Sequence, residues 1–314
     1  MQHRTLGTSN LSFAPIVLGS NVFGWTTDEK TSLSILSAFV ERGFAAIDTA
    51  DVYSVWVTGH RGGESESTIG RWLKHGGQRD KIIIMTKVGM QMPSGKGLSR
   101  SHILASAEES LRRLNTDHID LYQAHCEDPA IELEETLEAF AELIDEGKVR
   151  TIGASNYTAP RLAEALAVSK VKGLPSFVSL QPNYSLVARS NFEGPLQQLC
   201  LKEGIGVIPY YVLAAGFLTG KYRRASDIEG KARAGTIANV FDQRGLAILA
   251  EMDKIAEQTG ASVTQIALAW MMAQPGITAP IVSATSLAQL DEILDATEVR
   301  LDPGAIERLN QVSA

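Results

Sequence analysis

The chain has 314 residues, a formal net charge of −7, 44% hydrophobic and 21% charged residues. That composition excludes a disordered chain, and the acidic balance excludes a general attraction to nucleic acid or anionic lipid. Two cysteines, Cys126 and Cys200, are too few for a disulfide scaffold, and no apolar run approaches the roughly 18 residues that span a bilayer, so a soluble protein of a reducing cytoplasm is expected.

Residues 1–13 carry Gly7-Thr8-Ser9-Asn10, a turn signal between two short runs, which predicts a hairpin. From there short β-branched runs alternate with amphipathic stretches. Strands are predicted at 16–18, 46–49, 81–87, 119–125, 149–154, 177–181, 205–210 and 281–282. Helices are predicted at 28–42, 66–74, 101–114, 133–146, 160–169, 195–203 and 287–296. The third of these places Ile103, Ala107, Leu111 and Leu114 at the 3–4 spacing of a core-facing stripe. Residues 266–273 read as a buried helix segment, and Asp302-Pro303 starts a last helix over 303–312. The polar, glycine-bearing stretch 214–241 is too long for an ordinary connection and predicts a lid or binding loop.

Eight βα units without a composition break predict one domain over 1–314: a (β/α)8 TIM barrel with an N-terminal hairpin on its floor and a long loop after strand seven. An open doubly wound sheet would need a glycine-rich phosphate turn after the first strand. Gly19-Ser20-Asn21-Val22-Phe23-Gly24 lacks the G-x-G-x-x-G spacing.

In such a barrel the chemistry sits at the C-terminal ends of the strands. Asp48 ends the second strand, with Tyr53 in the loop behind it; Lys87 ends the third and His125 the fourth. A tyrosine hydroxyl has a free pKa of about 10, and a neighbouring ammonium such as Lys87 pulls it down. Asp48 supplies the counter-charge a buried lysine needs, and His125 orients a substrate oxygen. Tyr53 is then the proton donor to a carbonyl. The six histidines show no metal-ligand spacing and the cysteines form no C-x-x-C, so no metal is expected.

Five motifs occur in order at the strand ends: Asp48-Thr49-Ala50-Asp51-Val52-Tyr53, Thr86-Lys87, Asp120-Leu121-Tyr122-Gln123-Ala124-His125, Gly153-Ala154-Ser155-Asn156 and Gln181-Pro182-Asn183-Tyr184. Over essentially its whole length the chain resembles the aldo-keto reductase superfamily, and its loop after strand seven is similar to the bacterial and potassium-channel β-subunit branches. The resemblance implies an oxidoreductase that passes hydride between NADP(H), with NAD(H) as the alternative, and a small carbonyl or alcohol. It implies a tetrad of Asp48, Tyr53, Lys87 and His125. It further implies that Ser155, Asn156 and Gln181 hold the nicotinamide amide, and that Tyr210 stacks on the ring. The loop 213–221, with Leu213, Gly216, Leu218 and Lys221, is implied to wrap the pyrophosphate, although the family's usual Ser-Pro after the tyrosine is here Tyr211-Val212. Ser283, Thr285, Ser286 and Gln289 are implied at the adenosine 2′-phosphate, where Ile293 replaces the family's usual asparagine. Without a cation in that stretch, discrimination against NADH is expected to stay below about 100-fold unless Lys221, Arg223 or Arg224 supplies the charge.

Trp25 and Trp56 are candidate walls of the substrate pocket, and the long loop 52–65 also carries His60 and Arg61. Two other readings of the same residues are a Schiff-base barrel enzyme with Lys87 as nucleophile and a cofactor-binding regulatory subunit. The sequence leaves the substrate, the direction of reaction and the oligomeric state open.

Overall fold

The computed structural model describes residues 2–314, so only the first residue of the hairpin segment lies outside the described residues. The turn signal joins two antiparallel strands, β1 (Arg4–Thr5) and β2 (Ser12–Phe13). The barrel strands follow: β3 (Val17–Gly19), β4 (Ala46–Asp48), β5 (Ile83–Val88), β6 (Ile119–Ala124), β7 (Val149–Ser155), β8 (Ser179–Gln181), β9 (Gly206–Val207) and β10 (Ile281–Val282). All eight run parallel, in the order β10-β3-β4-β5-β6-β7-β8-β9. The two ends meet: the Ile281 amide donates to the Pro209 carbonyl at 2.9 Å, and the Thr278 amide to that of Val207 at 2.8 Å. The sheet is therefore closed, as the alternation predicted.

Helices cover the outside: α1 (Glu29–Glu41), α2 (Glu64–Lys74), α3 (Arg100–Leu114), α4 (Leu133–Asp145), α5 (Ala159–Lys172), α6 (Pro195–Glu203), α7 (Ala234–Ala238), α8 (Gln243–Thr259), α9 (Val263–Ala273), α10 (Leu287–Asp295) and α11 (Pro303–Val312). The stripe Ile103, Ala107, Leu111 and Leu114 is buried on α3. The start signal at Asp302-Pro303 works as read, since the Asp302 carboxylate accepts from the Ala305 amide at 3.0 Å. No helix among the described residues is long and apolar enough to cross a membrane.

Two features differ from the sequence expectation. The segment 214–241 is not a plain loop; it contains tight helical turns at Ala214–Thr219 and Ala225–Asp227, and then α7. The seventh βα unit, between β9 and β10, also holds an extra helix, α8, with Ile248, Leu249, Met252 and Ile255 buried. A simple strand–helix alternation passes over that stripe because it allots one helix to each strand.

The inside of the barrel is packed by Val17, Ala46, Met85, Leu121, Ile208 and Ala279 against Leu6, Leu11 and Phe13 of the hairpin. The hairpin is thus a plug. Its turn fits so closely that a Cβ on Gly7, whose φ is +55°, would lie 2.1 Å from the Val178 carbonyl oxygen. The floor is closed, and ligands are left the opposite rim, where the strands end.

The helical layer is as tight between α2 and α3. A Cβ on Gly70 of α2 would sit 2.0 Å from the Arg113 carbonyl oxygen, which is backbone and cannot rotate away. Alanine in a helix interior gains about 1 kcal/mol over glycine, while forced overpacking costs typically 1–3 kcal/mol. Gly70→Ala is therefore expected to lower the unfolding free energy, by up to about 2 kcal/mol, in urea titrations; a stabilised variant would show that the two helices separate freely.

Candidate active site

The four ionisable residues read from the strand ends converge. Asp48 closes β4 and is 2% exposed; Lys87 lies on β5 and is fully buried. The Lys87 Nζ donates to Asp48 Oδ2 at 2.7 Å, to the Thr49 carbonyl at 2.7 Å and to the Tyr53 hydroxyl at 3.1 Å. These three acceptors use all the hydrogens of the ammonium. Burial opposes its charge, yet Asp48 and Tyr53 outweigh burial and hold Lys87 above its ordinary value. An amine kept charged in this way is unsuited to Schiff-base chemistry, which needs it neutral.

Tyr53 departs from the sequence expectation. The ammonium does pull its hydroxyl down, but burial is the larger effect and Asp48 adds to it, so Tyr53 sits above the ordinary tyrosine value. The phenol therefore holds its proton. The His125 ring is edge-on to Tyr53, with ring centres 6.1 Å apart. Burial, and then the Lys87 charge, push His125 well below its ordinary value, so the ring is neutral. Its Nδ1 is buried without a partner, which leaves Nε2 as the nitrogen available to a ligand.

Tyr53 is delivered by a loop fixed at both ends. Its carbonyl accepts from the Ser65 amide at 3.4 Å, at the start of α2. Glu64 accepts from the amides of Ser54 at 3.2 Å and Arg61 at 2.8 Å. His60 faces Ser54 and Glu64 rather than the cavity.

A cavity of about 1020 Å³ opens over this cluster. Asp48, Tyr53, His125, Ser155, Asn156, Gln181, Tyr210, Leu213, Gly216, Lys221, Ser283, Thr285 and Gln289 line it, as do Trp25 and Trp56. Trp25 and Trp56 stack edge to face at 5.5 Å, and Trp56 meets Tyr53 at 5.8 Å. Ser155, Asn156 and Gln181 stand together at one end. Asn156 donates to the His125 carbonyl at 2.9 Å and accepts from the Tyr210 hydroxyl at 2.8 Å. Lys87 lies buried behind this lining, and two further residues grouped with the site by the sequence fall outside the cavity. Leu218 is fully buried in the outer core because the turn at Ala214–Thr219, with Ala215 and Gly216 at positive φ, rolls it inward. Ser286 spends its hydroxyl as the cap of α10, accepting from the Gln289 amide at 3.2 Å.

This arrangement can be set beside known proteins. The Aldo/keto reductase family model matches residues 15–314. The chain belongs to the aldo/keto reductase family. It is 33% identical over 320 residues to the uncharacterized oxidoreductase YrpG of Bacillus subtilis (strain 168), covering 99% of this chain and 96% of that protein. It is 32% identical over 344 residues to Protein tas of Escherichia coli (strain K12), covering 99% and 97%. Aldo-keto reductase YhdN of B. subtilis (strain 168) is 32% identical over 308 residues, covering 95% and 89%.

For an aldo/keto reductase, two cavity cations escaped the sequence reading. Lys231 and Arg233 line the cavity with Lys221, and Arg233 lies 5.1 Å over the Trp25 ring. Burial, then Arg233 and Lys231, hold Lys221 below its ordinary value, the mark of clustered positive charge. Arg223, by contrast, is tied to Asp253 at 2.7 Å. Only the fold of the segment 214–241 shows which of its cations turn inward. Gln123 was also passed over as a group with a role. It sits on β6 one pleat below His125, in the parity of the interior residue Leu121, and that parity was the available signal.

Between β5 and helices α2 and α3 of this aldo/keto reductase lies a second buried polar group. Glu66 accepts from Thr86 at 2.6 Å and from Arg113 at 2.7 Å. Beside it Asp51 is buried, with Oδ1 unpartnered. Burial, and then the Glu66 charge, push Asp51 up to about 8 against the pull of Arg113. The folded chain thus keeps a proton that the unfolded chain releases above about 4. Stability from this group is fully present below about 4 and is lost as pH rises through about 8. Asp51→Asn mimics the neutral form at every pH. Between pH 5 and 8, urea unfolding is expected to show the wild type losing at least ~1 kcal/mol more than the variant; parallel losses would mean that Asp51 is ionised in the fold.

Proposed function

We propose that the chain reduces small carbonyl compounds (an aldehyde, a ketone or a sugar) with NADPH or NADH, and runs the reverse alcohol oxidation. The observation that carries this reading is the Lys87 ammonium, 2.7 Å from Asp48 and 3.1 Å from the Tyr53 hydroxyl, beside a neutral His125 on one cavity. The residues present fit a nicotinamide cofactor. Ser155, Asn156 and Gln181 offer donors and acceptors for a carboxamide, Tyr210 an aromatic face, and Lys221, Lys231 and Arg233 countercharge for phosphates. Leu213 and Gly216 would flank the pyrophosphate, with Ser283, Thr285 and Gln289 near the adenosine end. When bound, that cofactor supplies or accepts the hydride.

The chain itself handles the oxygen and its proton. His125 presents Nε2 to the substrate oxygen; the neutral ring keeps its proton there, where the cavity offers a partner, rather than on the unpartnered Nδ1. Tyr53 holds a proton at its hydroxyl and releases it to the oxygen as negative charge builds there. Lys87 lowers the cost of the phenolate left behind, at 3.1 Å. Asp48 keeps that ammonium in place. Trp25 and Trp56 offer flat apolar walls to the rest of the substrate and exclude water from one side.

Tyr53→Phe removes only the hydroxyl. Carbonyl reduction is expected to fall by roughly 10²–10⁴-fold with cofactor affinity near wild type. Turnover within a few-fold of wild type would sink the assignment of the acid.

On cofactor choice, the turn after β10 offers hydroxyls and an amide but no cation, and the cations that line the cavity all come from the loop after β9. NADPH is expected to be preferred over NADH by less than about 100-fold in kcat/KM, and Lys231→Ala and Arg233→Ala to shrink that preference further. A much larger preference, insensitive to both substitutions, would place the phosphate elsewhere.

A further inference from the structure

Both oxygens of Asp48 are in use. Oδ2 takes the Lys87 ammonium, while Oδ1 accepts from the side-chain amides of Gln181 at 2.9 Å and Gln123 at 3.4 Å. A carboxylate held against an ammonium only accepts, so each glutamine must turn its NH2 toward it. This fixes which end of each amide is nitrogen. The Gln181 NH2 then gives its second hydrogen to Gln123 Oε1 at 3.2 Å. Both donors of Gln181 are spent below the cavity. Its Oε1 has no hydrogen-bond partner among the described residues, and Gln181 lines the cavity.

We propose that Gln123 is a positioning residue that locks the Gln181 side chain with its carbonyl oxygen toward the cavity, so that the site selects a ligand carrying an amide N–H donor. The inference rests on the reading of this end of the cavity as the carboxamide site of a nicotinamide. Asp48 Oδ1 accounts for one hydrogen of the Gln181 amide. Without a second acceptor the other N–H is buried and unsatisfied, and the terminal torsion, which is soft in glutamine, is free to turn it outward. Gln123 is fully buried and does not line the cavity, so it acts through Gln181 and not on the ligand.

The barrel is built to allow this contact. Gln123 and Gln181 belong to β6 and β8, which are separated by β7. The β7 residue paired with Gln123 is Gly153. A Cβ there would lie 3.2 Å from Gln123 Cγ and 2.3 Å from Ser179 Oγ. The missing side chain opens the path by which the two amides meet across the intervening strand.

The test compares NADPH with its 3-acetylpyridine analogue, in which a methyl group replaces the carboxamide NH2 while the carbonyl remains. Binding to the full chain is followed by quenching of tryptophan fluorescence, since Trp25 and Trp56 line the cavity. Wild type is expected to bind NADPH more tightly than the analogue. Gln123→Met keeps the volume but removes the acceptor. It is expected to weaken NADPH binding roughly 5-fold, the size of one neutral hydrogen bond, and to leave the analogue within about 2-fold. Gln123→Leu serves the same purpose should the methionine variant not fold. Gln123→Glu keeps an acceptor for Gln181 and is expected to retain the preference for NADPH. An equal loss for both ligands would reduce Gln123 to packing, and an unchanged preference would show that Asp48 alone orients Gln181; either overturns the proposal. Failure of wild type to bind either ligand would instead overturn the functional reading, and this inference with it.

Discussion

The ion pair of Asp48 and Lys87 is the constraint around which the rest of the site is arranged. Two charges removed from water cost several kcal/mol each, and only close geometry with every remaining hydrogen and lone pair used offsets that cost. The barrel provides this. The ammonium spends its hydrogens on a carboxylate, a carbonyl and a phenol, and the carboxylate fills its second oxygen with amide donors. Removing either charge would strand the other, so the pair ties the position of the Tyr53 hydroxyl to that of the Gln181 amide. The same pairing keeps the lysine charged, and that charge adds to burial in keeping the nearby imidazole neutral.

A pair this demanding needs a stiff frame, and the frame is made largely of hydroxyls. Ser20 donates to the Asp48 carbonyl at 2.8 Å, and Ser65 to the Ser20 carbonyl at 2.9 Å, while Thr49 donates to Ser65 at 2.9 Å. These bonds stitch β3, the end of β4 and the first turn of α2 into one unit. The loop bearing Tyr53 spans that unit and ends on the Glu64 carboxylate. Positioning of a catalytic group to within a fraction of an ångström depends on supports of this kind more than on the group itself.

The order of the barrel strands and the convergence of Asp48, Lys87 and His125 on one rim were legible because both follow from local patterns. Alternation of short β-branched runs with amphipathic stretches needs only neighbouring residues, and Asp48, Lys87 and His125 each lie at the end of such a run. What escaped depended on contacts between distant segments. The role of Gln123 requires knowing that β7 offers a glycine beside it and that Gln181 lies two strands away. Lys231 and Arg233 sit in a stretch whose direction is set by left-handed turns at Ala214, Ala215 and Gly216, so their facing could not be read from periodicity. Leu218 and Ser286 were grouped with the cavity for the complementary reason. A leucine in a loop and a serine before a helix look alike whether they face a ligand or serve the core and the cap. The height of the Tyr53 hydroxyl was misjudged because a neighbouring charge is visible in sequence and burial is not.

The hairpin at the floor has a consequence for traffic. With Leu6, Leu11 and Phe13 filling the lower barrel, the described residues leave no back door to the rim where Asp48, Tyr53 and His125 stand. Any molecule that reaches Tyr53 must enter and leave by the mouth at the strand ends. A two-stranded hairpin at one end of the barrel thereby sets the direction of access at the other.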